Sequence, residues 1–334
     1  MKRKSKLFLI RLANIVLLIS FVIVNLRRAK SGLSFTSNEE RLLSVIKRED
    51  DLQTDKRQRP VIHTFFHHID PSKKGTGMSK KSDEELIATW MEEWSKAGWD
   101  PVVLNLEDAK KHPRYNEFVK TLENVPLMGG NNGLNKVYNQ LCFLRWMAMA
   151  AAGGGWMSDY DVIPLRHIEE EEYSNHNNAF LPNDGFFTVY SVVRGTDQGV
   201  PCLMSGSTEE WEKMAFKIVE NGATHPEELM WSDMFALMDL RHQNLQNELF
   251  IYEDKVIPGQ DVLLGHYWSK EDCTTTKNYR AVHFSHHAVK AGNLIGVEPE
   301  HGDDWDKLNA RSEILQNWHR MWKQVCEETK EDGN

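Results

Sequence analysis

Hydrophobic and polar positions divide the 334-residue chain into three stretches. Lys2-Arg3-Lys4-Ser5-Lys6 precedes an apolar run from Leu7 to Leu26, broken by Arg11, Ser20 and two asparagines. A bilayer-crossing helix needs about 20 mostly apolar residues, and no small-x-small cleavage site follows. The run therefore predicts an uncleaved signal anchor over 7–28, behind a cytosolic tail, 1–6. The positive residues favour its N-terminal side, which predicts a body facing a lumen. Residues 29–59 are charged and lack a sustained apolar period, as expected of a stem.

From Pro60 the pattern becomes that of a folded domain, 60–334. Val61 to Phe66 is β-branched and aromatic and predicts a buried strand. Ser82 stands three residues before Glu85, a capping-box spacing, and predicts a helix through Lys96 that Gly98 ends. Pro101 to Leu104 predicts a second strand, and Leu106 to Lys111 a short helix. This alternation predicts an α/β layered domain with a mixed central sheet. Asn131-Asn132-Gly133 is a turn. Val137, Leu141, Leu144, Ala148 and Ala151 share one helix face, and beyond Leu141 nearly every position is apolar, so this helix is buried on most sides. Arg145 is the exception, and a buried guanidinium needs an anionic partner. Gly153-Gly154-Gly155 then turns the chain into a strand, Trp156 to Ser158. Asp159-Tyr160-Asp161 follows, and Pro164 closes the segment.

The later half predicts strand pieces at 179–181, 186–193 and 202–206, and helices over Glu209–Asn221 and Glu227–Leu240, the second carrying Asp233. Tyr279 to Phe284 predicts a late strand ending among His283, His286 and His287. One amphipathic helix is expected from Asp303 to about Thr329, with Trp305, Leu308, Leu315, Trp318, Trp322 and Val325 on one side. There is no internal repeat.

A net charge of -9 removes a general nucleic-acid footprint. The four cysteines have no CxxC spacing, which removes zinc-ribbon and thioredoxin-type sites. Cys142 reads as core; Cys202 and Cys273 are a pairing an oxidising compartment would allow. The eleven tryptophans suit both cores and sugar rings.

Two acids separated by one residue, at the end of a strand, project carboxylates into one loop. Hard cations such as Mn²⁺ or Mg²⁺ take such oxygens and complete their shell with phosphate. An isolated Asp-x-Asp is more often a cap or turn; here the buried helix, arginine and glycine corner change the reading. Arg145 with Gly154-Gly155-Trp-Met-Ser-Asp159-Tyr-Asp161 resembles the DXD region of glycosyltransferases, and is most similar to the family-32 type, which includes α-mannosyltransferases and α-1,4-galactosyltransferases. Val61-Ile-His63 and the block from Trp90 to Lys111, with Glu107-Asp108-Ala109, extend the likeness over roughly Pro60 to Leu165. The resemblance implies a Rossmann-like GT-A domain, a UDP- or GDP-linked sugar donor, a glycan or glycoconjugate acceptor, retaining transfer of a hexose, and single-pass type II placement in the Golgi membrane.

It also implies that Asp159 and Asp161 hold the metal, joined by a histidine after the last strand. His286 is taken for this part, with His283 and His287 as alternatives. Arg145, Asp159, Tyr160, His63 and Lys290 are the donor-binding candidates, and Asp233 is the candidate catalytic or acceptor-side carboxylate. His67 and His68 follow the first strand, where nucleotides bind in open α/β sheets. Core packing is the expected part of Trp156, and a turn that of Asp184. Two other readings stand beside this one. A metal-dependent phosphohydrolase or nucleotidyltransferase would need further clustered acids, and an inactive carbohydrate-binding protein would not need the acid pair.

Overall fold

The computed structural model describes residues 59–70, 78–127, 136–167, 181–192, 199–243, 249–291 and 304–327. The expected tail, anchor and stem lie outside these residues, apart from Arg59, as do the turn at 131–133 and the strand residues 179 and 180. Among the described residues no helix is long and apolar enough to cross a membrane.

Strand β1 (Val61–Phe65) is followed by helix α1 (Lys80–Lys96), β2 (Asp100–Leu104), α2 (Leu106–Ala109) and α3 (Tyr115–Leu122). β1 pairs in parallel with β2, whose Pro101 is tolerated because β2 is the sheet's edge strand. The cap of α1 is Ser79, three residues before the serine expected. Its Oγ accepts from the Ser82 amide, while the Ser82 hydroxyl donates to Asn309 Oδ1 at 2.9 Å. Helix α3 has no counterpart in the sequence reading; it buries Phe118 and Leu122, a single i, i+4 pair.

Helix α4 (Lys136–Ala151) is sheathed by core on most sides, as its composition requires. The corner that ends it carries three glycines with positive φ. At Gly154 a Cβ would stand 2.6 Å from the Thr208 backbone nitrogen, so only glycine fits. The chain then enters β3 (Gly155–Ser158), parallel to β1, and after Asp159-Tyr160-Asp161 passes into β4 (Val162–Pro164).

The remaining elements are β5 (Thr188–Val189), β6 (Leu203–Gly206), α5 (Thr208–Ala223), α6 (Asp233–His242), β7 (Ile251–Tyr252), β8 (Val256–Pro258), α7 (Cys273–Thr276), β9 (Ala281–His283), α8 (His286–Ala291), α9 (Asp304–Asn309) and α10 (Arg311–Cys326). Two sheets result, a mixed six-stranded one ordered β2-β1-β3-β6-β5-β7 and a three-stranded one ordered β4-β9-β8. The Asp-x-Asp loop is the hinge where the chain leaves the first sheet for the second.

Three expectations are corrected. The helix expected from Glu227 begins only at Asp233, after the Ser232 cap whose Oγ accepts from Phe235 N. The single C-terminal helix is two, broken at Ala310, so that Arg311 opens the second. Cys273 pairs with Cys326, tying α7 to the end of α10, and Cys202 is a buried free thiol.

Candidate functional site

Tryptophans of α1 fix the Asp-x-Asp loop at both of its ends. Trp90 Nε1 donates to Ser158 Oγ at 2.8 Å just before it, and Trp94 Nε1 to the Val162 carbonyl at 2.9 Å just after it. Within the loop, Asp159 N donates to the Cys202 carbonyl and Val162 N to the Asp159 carbonyl. The side chains of Asp159 and Asp161 are thereby aimed to one side, at the carboxyl ends of β1 and β3, where open α/β sheets bind their ligands.

A cavity of about 370 Å³ opens there. The residues after β1 (Phe66, His67, Ile69) form one wall, α4 supplies Tyr138, Cys142 and Arg145, and Met230 with Ser232 to Phe235 form another. Apart from the acids and arginines at its floor, the lining is largely apolar.

Asp159, Asp161 and His283 each offer one ligand atom, all within 4.8 Å of one another. Strand register explains why. β4 and β9 are antiparallel with Val162 opposite His283, so the residue preceding β4 meets the last residue of β9. The Phe284 amide donates to the Asp161 carbonyl and locks this juxtaposition. His283 Nε2 stands 3.5 Å from Asp161 Oδ1, an oxygen that is buried and accepts no hydrogen bond among the described residues.

Each acid is also held by a guanidinium. Arg145 Nη1 donates to Asp159 Oδ1 at 2.5 Å, and Arg311 Nη2 donates to Asp161 Oδ2. Arg145 further donates from Nε (3.1 Å) and Nη2 (2.6 Å) to Asp233 Oδ2, which also accepts from Trp146 Nε1 at 3.0 Å. Burial opposes the Arg145 charge, but Asp233 and Asp159 outweigh it and hold its pKa above the usual value. Burial, then the Asp233 charge, push the Cys142 thiol up to about 12, so it stays neutral. Burial, then Asp83, likewise raise the Tyr160 phenol, leaving it a neutral donor at the cavity edge.

The donor set fits a hard divalent cation. Two carboxylates and an imidazole suit Mn²⁺ or Mg²⁺ with phosphate completing the shell, and the unbonded Asp161 oxygen is the kind of buried acceptor an ion satisfies. Asp159, Asp161 and Asp233 face the guanidiniums of Arg145 and Arg311, and a divalent ion held here would add positive charge at the cavity floor.

The structure gathers Arg145, Asp159, Tyr160, Asp161 and Asp233 around one cavity. His286 lines it too, yet it is His283 that lies within reach of both acids. Asp233 meets Arg145 through an oxygen already shared by three donors, which makes it an anchor for that arginine. His63 is not a cavity residue: it is buried in β1, with Nδ1 3.1 Å from the Trp156 carbonyl. Lys290 is exposed on α8, outside the lining. Trp156 is core, stacked on Tyr190, and Asp184 sits in a turn with positive φ. Arg311 is the site residue the sequence reading lacks. The visible signal would have been an arginine on the apolar stripe of its helix.

A sequence profile described as a domain of unknown function (DUF8765) matches residues 44–265, about two thirds of the chain. No curated protein matches. Among solved structures, mouse xyloside xylosyltransferase 1 in its apo form is similar at 10% sequence identity and a TM-score of 0.36, over 67% of this chain and 97% of that one.

Proposed function

We propose that this chain, which belongs to the family described as a domain of unknown function (DUF8765), is a metal-dependent glycosyltransferase of GT-A type that transfers a hexose from a nucleotide-diphosphate sugar to a glycan or glycoconjugate. The observation that carries the reading is the trio Asp159, Asp161 and His283 on the floor of the cavity at the carboxyl ends of β1 and β3. The resemblance of the segment from Arg145 to Asp161 to the DXD region of family-32 enzymes supports the same chemistry. The apolar N-terminal run supports a single-pass type II protein of the Golgi membrane.

In this reading Asp159, Asp161 and His283 hold Mn²⁺ or Mg²⁺. The bound ion supplies charge neutralisation for the diphosphate of the leaving nucleotide. Arg145, anchored by Asp233, orients the Asp159 carboxylate. Tyr160 offers a phenol proton to the donor, and the apolar walls exclude water, which strengthens each charge interaction at the floor. Retention of anomeric configuration belongs to the same proposal.

The test is a thermal-shift panel of UDP- and GDP-sugars on the full-length protein, with and without Mn²⁺. One nucleotide class should raise Tm only when Mn²⁺ is present, because selective binding stabilises the folded state. Stabilisation independent of metal, or by no member of the panel, would contradict the reading.

A further inference from the structure

We infer that Arg311 is a positioning residue that assembles the metal site from its separate chain segments; the inference rests on the metal reading of Asp159, Asp161 and His283 above. The two acids lie on the loop between β3 and β4, whereas His283 ends β9, more than a hundred residues later. One guanidinium spans this gap. Arg311 Nε donates to the Phe284 carbonyl at 2.7 Å, immediately after His283, and its Nη2 donates to Asp161 Oδ2. The fork therefore grips the backbone beside one ligand and the carboxylate of another, and sets their separation.

Two features argue that this arginine is more than packing. It is 1% exposed, and removing a charge from water costs several kcal/mol unless geometry and hydrogen bonds compensate. It also opens the 16-residue helix α10, where a positive charge opposes the helix macrodipole. An apolar side chain would fill the position without either cost. What the guanidinium achieves is to occupy Oδ2 of Asp161 and leave Oδ1, buried and without a hydrogen bond among the described residues, facing His283. Asp161 is thus presented through one chosen oxygen. His283 and Arg311 both lie beyond residue 265, where the family match ends, so this half of the site is supplied by the C-terminal segment.

The experiment is Mn²⁺ binding by the full-length protein, followed by electron paramagnetic resonance, for wild type, Arg311→Lys, Arg311→Met, Ile314→Val and Asp161→Asn. Lysine keeps the charge but cannot grip both partners. Both Arg311 variants should bind Mn²⁺ about 10–100-fold more weakly, as expected when a group orienting a ligand is lost, and the spectrum of the residual bound ion should change. Ile314→Val, buried in the core from the same helix and outside the cavity lining, should lower Tm and leave affinity and spectrum at wild-type values. Wild-type affinity and spectrum in Arg311→Lys would overturn the inference while leaving the metal site standing, provided Asp161→Asn has lost binding. Absence of binding by wild type, or unaltered binding by Asp161→Asn, would overturn both together.

Discussion

Val162 and His283 face each other across the antiparallel strands β4 and β9, and this pairing places the His283 imidazole 3.5 Å from Asp161 Oδ1. The site is therefore a product of strand register. A slip of one residue would send the imidazole to the other face of its sheet.

The Arg145–Asp233 pair should be costly to break from one side. Arg145→Met leaves the buried Asp233 Oδ2 with Trp146 as its one remaining donor among the described residues, and should destabilise the fold by about 3–5 kcal/mol. Arg145→Met with Asp233→Leu should recover a large part of that loss. Urea unfolding of the two single variants and the double variant checks the coupling.

At the glycine corner, Gly154→Ala sets a Cβ against backbone, in a left-handed conformation, and should cost about 3 kcal/mol. Gly153→Ala shares the positive φ but meets nothing within 4 Å, and should cost about 1 kcal/mol. Equal midpoints for the two variants would contradict the clash.

The stability that His63 and His319 contribute should fall in mild acid. Burial, against the weaker pull of the Trp156 carbonyl and Asp108, lowers the His63 pKa below its ordinary value, and burial does the same for His319. The unfolded chain takes up these protons near pH 6.5 while the folded protein resists them. The contribution is thus fully present above about pH 6.5 and declines as pH falls below it, by at most about 1.4 kcal/mol per pH unit for each histidine. His63→Gln should flatten that slope in unfolding measured between pH 7 and pH 5.

The Cys273–Cys326 bridge closes a loop over a sequence separation of 53 residues, which in the chain-entropy description is worth about 4 kcal/mol. Cys326→Ser, and wild type under dithiothreitol, should lower Tm to the same extent. Cys202→Ser should make no difference to the response to reductant.

Much of the site could be read from residues near one another in the chain. The continuous apolar surface of α4, its lone arginine, the glycine corner and the acids of the next loop are one local signal, and the structure brings them together as that signal implies. What was not legible depends on distant partners. His283, His286 and His287 are equivalent by composition, and only the register of β9 against β4 distinguishes them. Arg311 lay hidden because the amphipathic period runs on through Ala310 and conceals a helix break. His63 reads as a donor-binding candidate by its place near the start of the domain, but it lies within β1 and its ring turns back to the Trp156 carbonyl. The cysteine pairing is set by how α7 docks on α10, which no spacing encodes.

The most direct test of the metal site is calorimetric titration of Mn²⁺ into the full-length protein, beside Asp161→Asn and His283→Ala. Wild type should bind one ion, and both variants should lose at least tenfold in affinity, with Asp161→Asn close to no binding. Equal affinity in all three proteins would show that Asp159, Asp161 and His283 do not form a metal centre.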